Sequence, residues 1–597
     1  MQKIAESIRY AALALLVFLH SPAIFAQSDS SGTAENAVTV SVTITGVEEA
    51  LLSNVRGFLP LYRFNEKEAP TEGRLRFLHA QAEEAVSLAL APFGYYRPTI
   101  VPSLELTEGV WQAQYEITPG DQILLQSVDV KVMGEAETDE AFLDAIESSP
   151  LKAGEPLQHE YYEALKQRFQ VLGSERGYFD ANLTDSKILI DLEKYEAEAV
   201  LHFDSGQRYY LGDVSFQQET PWLSDDLLSR YSEIEHGQPF LAGSLQQLQG
   251  DLSNTGYYDE VTLDVSPENA EANNIIPVIV NLKPRNPTRY VFGAGFGTDT
   301  GIRVKAGVTQ RRVNQAGHHF TGELLLAQLK YGLAGEYTIP GSDPRTDAWG
   351  FRGSIEDEDS DISDFTSSSL GGFYRHRDGL WIKTYALDYL VERFEDSGDE
   401  QTSKLLIPSI DWTRTYPAEL EKRMDPVFGT MLQLSLKGGS GDLLSDTSFI
   451  QPMIYGKWIY SFGNSTRLIA RGAAGTTYVD DFDRLPTSLR FFSGGDKTVR
   501  GYSYGVISPL GEEGFVGARN LLESSLEYEV PVRESWRMAA FVDVGDAYDN
   551  KPDYKTGVGL GVRWISPIGP VRLDLAHGLN QPPGRNLRLH LTIGSDL

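Results

Sequence analysis

The sequence contains no cysteine in 597 residues. That excludes disulfides, cysteine-ligated metal sites and thiol nucleophiles. Positive charge is scarce too: 52 lysines and arginines stand against 84 acids, a net of −32. The deficit excludes general binding to nucleic acid, whose phosphates demand a basic surface. It leaves a membrane open, because lipid-facing strands are neutral. No stretch reaches the roughly 18 continuous apolar residues of a spanning helix. If the mature chain crosses a bilayer, it must do so as a closed barrel of strands.

At the N-terminus, Lys3 and Arg9 precede an apolar run from Tyr10 to Leu19, followed by Ser21-Pro22-Ala23-Ile24-Phe25-Ala26. This is the pattern of a signal peptide, residues 1–26, cleaved after Ala26. The Ser-, Gly- and Asp-rich stretch 27–37 reads as disordered.

Three units follow. In each, a helical pattern ends in glycine and two aromatics: Gly94-Tyr95-Tyr96, Gly177-Tyr178-Phe179 and Gly256-Tyr257-Tyr258. They recur about 80 residues apart, a short-domain spacing. Alternating Val38, Val40, Val42 and Ile44 predict a strand opening the first unit. Leu75, Leu78, Ala82, Ala85 and Ala89 predict a helix from Arg74 to Ala91, with strands after it. The second and third units repeat the order strand, helix, helix, strand, strand, a small α+β layer. Glycine permits the left-handed turn at each helix end, and the aromatics cap the core. The units are placed at 38–121, 122–205 and 206–284.

Beyond the linker Lys283-Pro284-Arg285-Asn286-Pro287, period-two alternation takes over. Gly557, Gly559 and Gly561 share a face with Arg563, opposite Val558, Leu560, Val562 and Trp564. Leu587, Leu589, Leu591 and Ile593 oppose Asn586, Arg588, His590 and Thr592. One apolar and one charged face suit lipid outside and water inside, and about 16 such strands fit between residues 288 and 597. The first is expected near Arg289–Thr298 and the last near Asn586–Gly594. Glu356–Asp361, Glu395–Glu400 and Gly438–Asp446 read as solvated surface loops. His318 and His319 are adjacent, so a strand would turn them to opposite faces, a poor metal pair.

One connection is long, roughly Asp480–Gly514, and glycine- and aromatic-rich rather than charged. Loops of this size are functional or disordered. The next strands place Glu523, Glu527, Glu529 and Asp543 on the lumen face. Arg500, at the loop tip, could bridge such carboxylates with its planar fork; a solvated loop arginine is the competing reading. Gly501-Tyr502-Ser503-Tyr504-Gly505 matches a nucleophile elbow in letters only. That elbow needs a strand-to-helix turn, which a glycine-rich loop between strands does not supply.

Val499-Arg500-Gly501-Tyr502 resembles the lid-loop motif of the outer-membrane protein assembly and two-partner secretion superfamily. Phe541-Val542-Asp543-Val544-Gly545-Asp546 and the segment Gly557 to Leu575 resemble its two following motifs, and the three N-terminal units are similar to POTRA domains. The resemblance implies a mainly β fold: a 16-stranded transmembrane β-barrel in the outer membrane behind three α+β POTRA-like domains in the periplasm. It implies that Arg500 pairs with Glu527 and Asp543, with no catalytic residue, metal or cofactor. It implies assembly or translocation of client outer-membrane proteins such as autotransporters, within outer-membrane lipid. Three units, rather than five or two, imply the translocation and assembly module branch. There the partner is a TamB-type inner-membrane-anchored protein, met by the first POTRA-like domain. The alternatives are a general outer-membrane insertase and a two-partner secretion channel for a soluble client.

Overall fold

Alternation of apolar and polar residues at period two builds most of this molecule. The computed structural model describes residues 38–297, 301–360, 362–396, 399–419, 421–463, 466–511, 514–566, 569–581 and 587–593. The expected signal peptide and the Ser-rich stretch lie outside the described residues. The described chain forms two compact units: the first two α+β modules, and the third module with the barrel.

In the first module, Thr39–Thr45 lies parallel to Val110–Thr118, which pairs antiparallel with Thr99–Thr107. Helices Glu49–Phe58, Glu72–Ala80 and Ala82–Leu90 cover one face. Val40, Val55, Leu75, Val86, Ala113 and Tyr115 are buried between them. The single helix expected over 74–91 is two helices. They part at Gln81, whose φ of −84° and ψ of −3° sit at the edge of helical space. The break brings Val86 and Leu90 to the sheet alongside Ala82 and Ala89. In the second module Phe142, Phe169 and Phe203 pack with ring centroids 5.5 to 5.6 Å apart. Tyr178 donates to Asp139 at 3.0 Å, and Asp139 caps the helix Glu140–Ser148. The helix-end glycines have positive φ: 84° at Gly94, 82° at Gly177 and 75° at Gly256. The Gly-aromatic repeat is thus turn and core, as its composition indicates.

The third module, with strands Tyr210–Gln218, Tyr258–Asp264 and Ile275–Pro284, is fastened to two turns at one end of the barrel. The Arg312 guanidinium lies 3.9 Å from the Trp222 ring centroid and donates to the Trp222 carbonyl at 2.8 Å. Ser224 N–H donates to the Gln315 carbonyl at 2.9 Å, and the Tyr257 hydroxyl donates to the Gly317 carbonyl. Arg230 donates to the Gly341 carbonyl at 2.6 Å, and Arg345 pairs with Glu233 at 2.5 Å.

The barrel sheet has seventeen strands by hydrogen bonding, of which Tyr478–Val479 is a two-residue extension; the other sixteen form the wall. Each pairs antiparallel with its sequence neighbour, from Thr288–Gly297 to Leu587–Ile593. Among the described residues, no ladder joins these first and last strands. Outward side chains such as Phe292, Phe351, Leu370 and Leu560 are exposed and apolar, while Glu392, Ser403, Glu527 and Arg563 are buried inside. Aromatics pair across strands at the end nearest the third module: Trp349 with Tyr374, Tyr416 with Phe428, and Trp536 with Trp564, at 4.6, 5.7 and 6.1 Å. Such a girdle marks a bilayer interface. No helix among the described residues is long and apolar enough to cross a membrane.

Two expectations need correction. Glu356–Glu358 lie in the strand Asp347–Asp359, and Glu395 and Glu400 lie in strands Trp381–Asp396 and Asp399–Tyr416. Those two strands run to 16 and 18 residues. A crossing needs about 9–11, so the acidic runs are hairpin tips standing beyond the bilayer, still laddered. Likewise Gly438 and Gly439 end a strand rather than begin a loop. Asp361, Thr298, Asn586 and Gly594 fall outside the described residues.

The first two modules meet at Tyr96 and His159, which share a hydrogen bond of 2.8 Å. Burial lowers the His159 pKa from its usual 6.5, against a smaller opposing pull from Glu163. His79, bonded to Tyr115 at 2.9 Å, is lowered by burial and then by Arg76. A histidine depressed in the fold takes its proton first in the unfolded chain, so stability is full above pH 6.5 and falls as pH drops below it. The melting temperature of a fragment spanning 38–207 should fall between pH 7.5 and 5.5, and less steeply in His159→Gln. A flat profile in the parent fragment contradicts this.

Candidate functional site in the barrel lumen

Strands Thr466–Thr476 and Asn520–Arg533 are neighbours in the wall, with Arg467 opposite Glu529 and Ala473 opposite Glu523. Residues 480–519 between them fold back into the barrel as a lid. Its apolar residues make small cores there. Val499, Tyr502 and Ile507 cluster together, Phe491 and Ala518 pack on Ala473, Leu521 and Ala547, and Leu485 and Leu489 reach Leu405 and Ile407 on the far wall.

Arg500 is 4% exposed and lies among carboxylates from three different strands. Its Nε and Nη2 form a bidentate pair with Asp543 at 2.7 and 3.0 Å. Its Nη1 donates to Glu527 at 2.7 Å and to Asp574 at 3.0 Å. Its backbone N–H donates to Asp543 at 3.0 Å. The Phe541 ring lies below, 3.3 Å from the guanidinium carbon. Planar, delocalised and always charged, arginine suits such a forked and stacked site. The carboxylates are shared with Arg563, whose Nη2 reaches Glu527 at 2.7 Å and whose Nη1 reaches Asp574 at 2.6 Å. The chain of ion pairs continues through Glu529 to Arg467 at 3.5 Å, then to Asp425, which Arg537 also binds at 2.7 Å. Asp425 lies in the turn between Asp399–Tyr416 and Phe428–Gly439, so ionic contact runs from the lid to that end of the wall.

The strand Lys555–Ser566 makes room for this arrangement by omission. A Cβ at Gly557 would strike the Arg500 carbonyl, one at Gly559 the Phe541 ring, and one at Gly561 the Asp574 carboxylate. The glycine stripe seen in the sequence is the floor on which the lid backbone rests.

The structure brings Val499, Arg500, Gly501 and Tyr502 together with Glu527 and Asp543. It sends the other inward acids elsewhere: Glu523 accepts from the Ser493 hydroxyl, and Glu529 goes to Arg563 and Arg467. Nothing local marks Asp574 as a partner of Arg500, 74 residues upstream, or Arg563 as sharing its carboxylates. Arg490, which the sequence presents as an ordinary loop arginine, is 7% exposed. It donates to the carbonyls of Leu485, Val516, Phe482 and Asp483 at 2.9 to 3.2 Å, organising the lid's own fold. Glu392 on the far wall accepts the Ser488 N–H at 3.0 Å. A cavity of about 920 Å³, lined by Lys437, Lys457, Arg471 and Glu523 among others, remains between lid and wall. The arrangement can hold a plug in place and release it as a unit.

Comparison with known proteins places names beside this geometry. Residues 316–597 match the Omp85 superfamily domain, residues 41–119 a POTRA domain described as TamA domain 1, and residues 209–285 a POTRA family described as surface antigen variable number repeat. The outer membrane protein assembly factor BamA of Nitratidesulfovibrio vulgaris is 23% identical over 69% of this chain and 54% of its own length. BamA of Neisseria meningitidis serogroup B is 20% identical over 66% of this chain and 57% of its own. The chain thus spans little more than half the length of these curated relatives. The crystal structure of Haemophilus ducreyi BamA lacking POTRA domains 1–3 superposes with a TM-score of 0.65 at 19% identity, covering 78% of this chain and 99% of that one. That likeness shows the fold: a barrel behind POTRA domains.

Arg500→Ala leaves three buried carboxylates short of a cation, and breaking a buried pair from one side costs about 3–5 kcal/mol. The lid should become protease-sensitive in folded barrels, and the urea midpoint should fall. Arg484→Ala, at an exposed lid position, should shift stability by less than about 0.5 kcal/mol. Arg490→Ala is expected to damage the lid as well and is no neutral control. Equal, small effects of Arg500→Ala and Arg484→Ala contradict the ionic lock.

Proposed function

We propose that this chain, an Omp85 superfamily barrel behind POTRA domains, is a TamA-like subunit that assembles or translocates other outer-membrane proteins, autotransporters among them. The observation that carries the reading is the seam. Among the described residues the first strand ladders only with Gly301–Gln310 and the last only with Gly569–Gly578. Their outer edges carry backbone donors and acceptors at bilayer depth, where unpaired groups cost several kcal/mol each, on the order of a full desolvation penalty. A client strand has the same need, and pairing with such an edge satisfies both. Gly293, Gly295 and Gly297 in the first strand weaken its packing and favour an edge that can exchange partners.

Arg500, Glu527 and Asp543 then hold the lid that fills the lumen while the seam works. In this reading the three modules, taken as 38–121, 122–205 and 206–284, belong to the periplasm. The first, supported by its likeness to TamA domain 1, is the one to meet a TamB-type partner anchored in the inner membrane. The same likeness favours this reading over a general BamA-like insertase.

Depletion of the protein, followed by quantification of the outer-membrane proteome, tests the reading. Loss of a subset of barrels, autotransporters included, is expected. An unchanged membrane with one missing secreted soluble protein contradicts it and points to a two-partner secretion channel.

A further inference from the structure

The last strand, Leu587–Ile593, forms one side of the seam, and His590 joins it to the lid. His590 faces the lumen and is 1% exposed. Its Nε2 accepts the Gly501 N–H at 2.9 Å. A nitrogen that accepts carries no proton, so the ring proton sits on Nδ1. That N–H is donated to the Asp496 carboxylate at 2.5 Å. Both partners belong to the lid. Gln581, just before the strand, donates to the Gly501 carbonyl at 3.2 Å. The contact is also steric: Gly501 has a φ of 93°, and a Cβ there would meet the Gly578 backbone. Across the ladder from His590 is Asp574, one of the three acids on Arg500.

The other side of the seam is held differently. The first strand pairs with Gly301–Gln310, and the turn that follows it is fastened to the third module at Arg312, Gln315 and Gly317. The seam therefore separates a lid-held flank from a flank held by the third module.

We propose that His590 is a clip coupling the lid to the last strand, so that the C-terminal side of the seam is set free only when the segment Asp496–Gly501 releases the ring. His590 is a positioning residue here. Its purpose rests on the reading of the seam as the client's route, but the coupling is measured without a client.

The chain has no cysteine, so pairs introduced along Thr288–Gly297 and Leu587–Ile593 give seam cross-linking without background. The full-length protein in outer-membrane vesicles is oxidised and the rate of cross-linking read. Lid exposure is read in parallel by maleimide labelling of Ser503→Cys. His590→Ala is expected to slow seam cross-linking several-fold and to raise lid labelling several-fold. Asp496→Ala, which leaves the strand intact, should do the same. His590→Gln, whose amide oxygen can take the Gly501 N–H, should recover part of the loss, and Thr592→Ala on the same strand face should match the parent. Folding is checked by heat-modifiable migration; if His590→Ala does not fold, Asp496→Ala decides. Unchanged cross-linking and labelling in the folded variants overturn the clip. Altered coupling with normal client assembly supports the clip and counts instead against the assembly reading.

Discussion

The Arg500 guanidinium sits among Asp543, Glu527 and Asp574, over the Phe541 ring, and is almost wholly buried. A charge so placed is stable only while its partners stay in position, because desolvation outweighs any one of the attractions. The surroundings meet this demand. Three acids arrive from three strands, so their meeting point exists only when the wall is assembled in register. Glycines at 557, 559 and 561 clear the volume that the lid backbone and the ion pairs occupy. Removing any of these leaves a buried charge with nowhere to go. The ionic site thus ties the lid to three strands of the assembled wall.

A second constraint acts on the wall. Backbone groups at bilayer depth must be paired, and fifteen of the sixteen neighbour relations in this barrel satisfy that rule among the described residues, leaving one seam. The two flanks of that seam answer to different parts of the molecule. One is tied to the third module through Arg312, Gly317 and Arg345; the other is tied to the lid through His590 and Asp574. The ion chain from Arg500 through Glu527, Arg563, Glu529 and Arg467 to Asp425 links the lid to the turn that follows Asp399–Tyr416. The lid touches the last strand, and the third module touches the turn beside the first strands, so each flank of the seam has its own physical contact.

Much of this was legible in the chain. Period-two alternation with charge on one face is visible locally, so the barrel, its strand number and the lumen side of Glu527, Asp543 and Arg563 could be read residue by residue. Helix-end glycines marked the three modules for the same reason. What could not be read was pairing over distance. Asp574, His590 and Asp496 carry no local sign of their partners, because the barrel's closure, not the sequence around them, brings them together. Arg490 carries no local sign of its role either, because an arginine that folds its own loop through carbonyls resembles a solvated one in every sequence respect. The acidic hairpin tips were read as loops, since charge signals exposure but does not say whether the backbone is still laddered.

The central claim is that the seam is a template for a client strand. Photo-reactive residues placed one at a time along Thr288–Gly297, and at outward positions such as Ile410 on the far wall, report which surface a client touches during assembly. The account predicts client adducts from the first strand, at alternate positions as strand pairing requires, and none from Ile410. Adducts absent from the first strand, or spread equally over both walls, would contradict it.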